Sequence, residues 1–126
     1  MKIYFDGGCK PNPGKMEVAI VVDHGNGTYD KYHERLDQGT NNVAEWAAFL
    51  WALGTAIEQG NTQNITILGD SQNVCKAASG LWKVSAEHLK PYKRECDRMM
   101  VNYHGRIEHV KRDLNIAGHY IEEVNK

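Results

Sequence analysis

Asp6, Glu45, Asp70 and His119 carry the most chemical potential in this chain, and each stands beside a break in its hydropathy pattern. Asp6 closes the apolar run Met1–Phe5 and opens Gly7-Gly8-Cys9-Lys10-Pro11-Asn12-Pro13-Gly14. Glu45 falls in the opening turn of a helical pattern after Thr40-Asn41-Asn42. Asp70 closes a second strand-like run before Ser71-Gln72, and His119 lies in a last short helix. Acidic side chains at the same end of neighbouring strands hold hard divalent cations, and a pair of such cations promotes cleavage of phosphodiesters. The elements must therefore bring these residues together.

Residues 2–6 alternate around Ile3 and Phe5 and read as a strand, with the Gly/Pro-rich stretch 7–14 as a loop. Residues 16–23 are β-branched, His24-Gly25-Asn26-Gly27 is a hairpin signal, and 28–36 return. Over 43–58, Trp46, Phe49, Leu50, Leu53 and Ile57 recur at helical spacing before a stop at Gly60. A strand over 64–68, helices over 71–79 and 86–101, a strand over 106–110 and a helix over 114–124 complete the order βββαβααβα. Strands that alternate with helices pair in parallel through crossovers. The expectation is a five-stranded mixed sheet, three antiparallel strands followed by parallel ones, flanked by helices. Its crevice lies at the carboxyl ends of the strands, where Asp6 and Asp70 fall.

The chain has 126 residues, enough for one domain over 1–126 with a single core. No apolar run approaches bilayer length, the first residues lack a signal-peptide pattern, and three widely spaced cysteines suggest no disulfide or zinc framework. A reducing, cytoplasmic setting and a monomer are the expectations. The net charge of −1 does not favour a dedicated nucleic-acid binder. Lys83, Lys90, Lys93, Arg94 and Arg98, with Trp82 and Tyr92 among them, read either as a phosphate-tracking segment or as a solvated helix face. Each acid also has a structural reading. Asp6 can start a turn, Asp70 can cap the next helix, and Asn42 with Glu45 has capping-box spacing. Capping does not explain why all three fall at one edge of one sheet.

Four stretches together resemble the type 1 ribonucleases H, close to the compact bacterial, archaeal and phage catalytic domains. They are Phe5-Asp6-Gly7-Gly8 with Asn12-Pro13-Gly14; Thr40-Asn41-Asn42-Val43-Ala44-Glu45; Asp70-Ser71-Gln72; and Val110-Lys111-Arg112 with Asn115. The resemblance spans nearly the whole chain and implies the ribonuclease H-like α/β fold. It also implies an endonuclease that cuts the RNA strand of RNA–DNA hybrids with two divalent ions, Mg²⁺ by default, leaving 5′-phosphate and 3′-hydroxyl ends.

By that resemblance Asp6 bridges both ions, and Glu45 and Asp70 hold the second. Gly7, Gly8 and Cys9 (through their backbone), Asn12, Asn41, Asn42 and Gln72 touch the hybrid in the minor groove. Thr40 and Asn12 bind a DNA phosphate. Arg112 faces the phosphate, and Trp82 and Lys83 stand where relatives carry a basic handle and a DNA channel. Short polar groups in a wide minor groove are suited to sensing 2′-hydroxyls. The family usually ends in Asn-x-x-Ala-Asp, whereas this chain has Asn115-Ile116-Ala117-Gly118-His119, so His119 stands where the fourth acid is expected. An imidazole brings no negative charge and is a softer donor, which shifts the expected preference toward Mn²⁺. A register one residue shorter puts Gly118 there instead. His24, His33, His88, His104 and His109 read as surface or strand residues. The alternatives are a weakened or inactive module of the same fold that binds hybrids or structured RNA, and a different nuclease of the fold class.

Overall fold

The computed structural model describes residues 1–126. A five-stranded sheet forms from β1 (Lys2–Cys9), β2 (Gly14–Asp23), β3 (Tyr29–Gly39), β4 (Thr66–Gly69) and β5 (Arg106–His109). The spatial order is β3-β2-β1-β4-β5. The first three strands pair antiparallel, and β4 and β5 join in parallel. The helices are α1 (Asn41–Gln59), α2 (Gln72–Ala78), α3 (Lys90–Met100) and α4 (Ile116–Val124), so the expected element order holds. The chain leaves β1 toward β2 and β3, then returns to its other side with β4 and β5. The direction of winding therefore reverses at β1, the kind of switch point beyond whose strand carboxyl ends, here those of β1 and β4, ligands bind in open α/β sheets. No helix is long and apolar enough to cross a membrane.

One sheet face buries Ile3, Phe5, Val18, Ile20 and Val22 against α1. That helix meets the sheet with Ala44, Ala48, Ala52 and Ala56 as well as Phe49 and Leu53, all fully buried. Alanines let the helix approach closely, while Phe49 meets Phe5 edge-on with ring centroids 5.4 Å apart. Burial of each such large side chain contributes about 1.5–3 kcal/mol. The opposite face carries Tyr4, Asp6, Ala19 and Val21 by strand alternation, and α4 crosses it over β1 and β2.

The structure differs from the sequence expectation at element ends that shape the carboxyl edge of β1 and β4. Gly7 and Gly8 are not loop: β1 continues to Cys9, with Gly7 opposite Val18 and Gly8 opposite Glu17. A Cβ on Gly7 would overlap the Ala44 carbonyl. Glycine is required there because the start of α1 presses on the strand, not because the strand turns. Helix α1 is capped by Thr40, whose hydroxyl accepts from the Val43 N–H at 3.3 Å. Asn42 and Glu45 therefore form no capping box, and Glu45 lies beyond the first turn. Ser71, rather than Asp70, caps α2 by accepting from Val74 N–H at 3.3 Å. With that structural duty held by other residues, Glu45 and Asp70 need a different explanation.

Candidate active site

Asp6 sits one step beyond the last β1–β4 pair, Phe5 with Gly69, and Asp70 follows Gly69 directly. Neighbouring strands lie about 4.8 Å apart, which sets the two acids side by side at this carboxyl edge. The contact between Gly7 and the Ala44–Glu45 peptide brings Glu45 to the same edge from α1. The three acids act on one another electrostatically. Burial, then the charges of Asp70 and Glu45, push the Asp6 pKa up to about 7, against the opposing pull of Arg112 and the Gly7 N–H. Glu45 is also raised, first by burial and further by Asp70, while the Ser71 hydroxyl opposes the shift. Asp6 is only 8% exposed, and the pull of Arg112 and the Gly7 N–H falls short of offsetting its burial and the two neighbouring acids.

Asp70 is held by its neighbours. Asn115 Nδ2 donates to its Oδ2 at 3.1 Å and to the Phe5 carbonyl at 3.0 Å, while Asn115 Oδ1 accepts from Ala117 N–H at 3.2 Å. This fully buried amide caps α4 and ties it to both acidic strands. Arg112 Nη1 lies 3.9 Å from Asp70 Oδ2 with most of its side chain in solvent, so it can turn toward an anion. His109, read from the sequence as a plain strand residue, has its Nε2 3.3 Å from the Asp70 carbonyl.

Gly118 faces Asp6, and a Cβ there would stand 3.2 Å from Asp6 Oδ2. His119 is exposed and lines a shallow groove with Val21, Tyr29, Lys31, Ile116, Tyr120 and Glu123. Its ring is absent from the hydrogen bonds that fix Asp70. No three His, Cys, Asp or Glu side chains close into a ready-made ligand cage. The donor set still suits a hard divalent ion: three carboxylates crowd one edge, and the most buried of them resists ionisation.

The polar residues expected to meet a ligand surround this edge. Cys9 N–H donates to Asn41 Oδ1 at 2.9 Å, and Asn41 N–H donates to Asn12 Oδ1 at 3.2 Å. Both amide oxygens are thus engaged inside the protein, and neither NH₂ group has a partner within it. Thr40, beside them, has its hydroxyl in the cap. Asn42 and Gln72 are exposed at the first turns of α1 and α2. Trp82 and Lys83 lie exposed in the segment between α2 and α3. The basic stretch is less basic than its count suggests. Lys90 pairs with Glu87 at 2.6 Å, and Lys93 with Asp97 and Arg98 with Glu95 pair along α3, leaving Lys83 and Arg94 without an acidic partner.

The family model described as RNase H matches residues 1–122. Among curated relatives, the "Ribonuclease HI" of Halobacterium salinarum is 32% identical over 114 residues, 89% of this chain. The chain spans only 57% of that relative's length. The crystal structure of RNase H1 from H. salinarum superposes with a TM-score of 0.84 at 29% identity, covering 98% of this chain and 96% of that one. LC11-RNase H1, solved in complex with an RNA/DNA hybrid, gives a TM-score of 0.83 at 22% identity and covers 99% of each chain.

Proposed function

Because the chain belongs to the ribonuclease H family, with type 1 members its relatives, we propose that it hydrolyses the RNA strand of RNA–DNA hybrids, leaving 5′-phosphate and 3′-hydroxyl ends. Residues 1–126 act in this reading as one catalytic domain. The observation that carries it is the meeting of Asp6, Glu45 and Asp70 at the carboxyl edge of β1 and β4, with Asp6 raised to about 7 by burial and by the other two acids. Asp6, Glu45 and Asp70 would hold two divalent ions, Mg²⁺ or Mn²⁺; His119, the fourth donor that the resemblance implies, would have to turn its exposed ring from the groove beside α4 to join them. When bound, those ions supply a nucleophilic water and neutralise charge on the cleaved phosphate.

The chain's own residues do the rest. Asn115 fixes the Asp70 carboxylate so that it need not reorganise during the reaction. Arg112 meets the phosphate beside Asp70. The unpartnered NH₂ groups of Asn12 and Asn41, with Asn42, Gln72 and the Gly7–Cys9 backbone, read the minor groove, where the 2′-hydroxyl distinguishes RNA from DNA. Thr40 and Asn12 hold a DNA phosphate, and Trp82 and Lys83 guide the DNA strand. The hybrid bound by LC11-RNase H1 supports this choice of substrate.

The deciding experiment compares the wild-type chain with Asp70→Asn on a hybrid labelled in the RNA strand. Hybrid binding should persist while cleavage disappears. A wild-type protein that binds the hybrid and never cuts it would instead favour a binding module, the reading that His119 supports. Greater activity on duplex DNA than on the hybrid would favour a different nuclease.

Two further outcomes follow. His119 lacks the charge of a fourth acid, so activity should be higher in Mn²⁺ than in Mg²⁺ at low metal, and His119→Asp should raise activity in limiting Mg²⁺ roughly tenfold. A metal titration of cleavage checks this, and indifference of His119→Asp to Mg²⁺ would place residue 119 outside the site. Only Lys83 and Arg94 of the basic stretch are uncompensated. Lys83→Ala should therefore flatten the salt dependence of hybrid affinity by about one unit of log–log slope, while Lys93→Ala should leave it nearly unchanged.

A further inference from the structure

The helix that crosses Asp6 is fastened at both ends. Its start is the Asn115 knot on Phe5 and Asp70. Its finish is Asn125, whose Nδ2 donates to Glu17 Oε1 at 3.1 Å and Oε2 at 2.9 Å, and whose Oδ1 accepts from Arg35 Nη2 at 3.0 Å. His33 Nε2 lies 2.7 Å from the same Glu17 carboxylate, and the Tyr120 ring of α4 meets the His33 ring edge-on. Glu17 pairs with Gly8 across β1, two positions on from the Asp6–Ala19 pair, so this second anchor lies along the same sheet edge as the acids. The β2–β3 register slips between Lys15 and Glu17, the kind of bulge that re-aims a side chain.

The anchor is polar and partly wet, with Glu17 26% exposed at its side chain. Such contacts contribute little to global stability. What they fix is direction. Without the Asn125 link the nine-residue helix would keep its fastening at Asn115 and its buried Ala117 and Gly118 but lose the polar hold on its far end, and Gly118, one turn from Asn115, stands where a change of angle would reach Asp6. We propose that Asn125 and Glu17 are positioning residues for the hydrolytic site, setting the angle at which α4 crosses the sheet and so the placement of Asn115 on Asp70 and of Gly118 on Asp6. The proposal rests on the hydrolase reading above.

The test compares the wild-type chain with Asn125→Ala, Asn125→Asp and the pair Asn125→Asp/Glu17→Gln. Asn125→Asp sets two carboxylates against each other. The pair exchanges donor and acceptor, restores the link and keeps a partner for Arg35. The readouts are kcat and KM on an RNA–DNA hybrid and, separately, the Mn²⁺ concentration at half-maximal thermal stabilisation. Misplacement of a catalytic group by about 1 Å costs up to about 100-fold in rate. Both single variants should lose roughly tenfold in kcat with KM within about twofold, and should need several-fold more Mn²⁺. Their metal-free Tm should fall by only a few degrees, and the pair should recover most of both losses. Wild-type kcat and Mn²⁺ response in Asn125→Ala, or a pair no better than Asn125→Asp, would overturn the proposal. A wild-type chain that cleaves nothing would sink the hydrolase reading alone, because the Mn²⁺ midpoints still judge the anchor.

Discussion

Asp6→Asn is expected to abolish hybrid cleavage and, in the absence of divalent ions, to make the protein harder to unfold. On the proposed reading, loss of the Asp6 carboxylate would remove a metal donor and with it several kcal/mol of charge stabilisation, at least about 10³-fold in rate. The gain in stability follows from proton linkage. The Asp6 pKa stands at about 7 in the folded chain, against 3.8 when unperturbed. Between those values the folded protein holds a proton that the unfolded chain has released, so metal-free wild type loses stability as pH rises through that window. The difference of about three units corresponds to roughly 4 kcal/mol, fully lost above the upper value. Glu45 is raised by the same causes and adds a smaller loss of the same sign. Asparagine carries no ionisation penalty, so the variant should be more stable than wild type by a few kcal/mol at pH 8 and by much less at pH 4. Denaturant unfolding at both pH values, with chelator, checks this. A wild-type stability that rises with pH across the window would contradict the burial and crowding described for Asp6.

The second large effect is expected at Asn115. Asn115→Ala strips the donor from the Phe5 carbonyl and from Asp70 and also removes the α4 cap. Buried acceptors left unpaired cost about 1–3 kcal/mol each and a lost cap about 1 kcal/mol, for a loss of roughly 3–7 kcal/mol. In a chain of this size Tm should fall by roughly 10 °C or more. Asn115→Asp separates the two roles, because the carboxylate keeps the capping acceptor but loses the donor and repels Asp70. It should unfold at least as readily as the alanine variant near pH 7. Calorimetry of both variants decides the matter. Near-wild-type Tm in either would mean that the knot does not bear on the fold.

Much of this architecture is legible in the chain because hydrophobic periodicity reports one dimension well. The Ile3–Phe5 alternation, the Trp46-to-Ile57 spacing and the strand–helix alternation predict the element order and the mixed sheet that the structure shows. The convergence of Asp6 with Asp70 is legible for the same reason, since both close strands that run in parallel. What stays hidden depends on close approach between distant segments. Gly7 and Gly8 read as breakers, yet they lie inside β1 because α1 leaves no room for a Cβ at Gly7. That Thr40 rather than Asn42 caps α1 turns on one hydrogen bond, from the Val43 N–H to the Thr40 hydroxyl.

Asn115 is a motif landmark in the sequence, but its grip on Asp70 joins residues 45 apart. The Asn125–Glu17 link joins residues 108 apart. Neither separation leaves a local signal. The basic stretch is the opposite case. Its Lys90–Glu87, Lys93–Asp97 and Arg98–Glu95 pairs have the three- and four-residue spacing that the sequence itself displays, and a count of cations alone overlooks it.

A crystal grown with Mn²⁺ and measured at the manganese absorption edge tests the central claim most directly. Anomalous peaks between the Asp6, Glu45 and Asp70 carboxylates, absent in Asp6→Asn, are the predicted result. Fully occupied Mn²⁺ bound elsewhere, with the three carboxylates turned apart and no peak among them, would contradict the account.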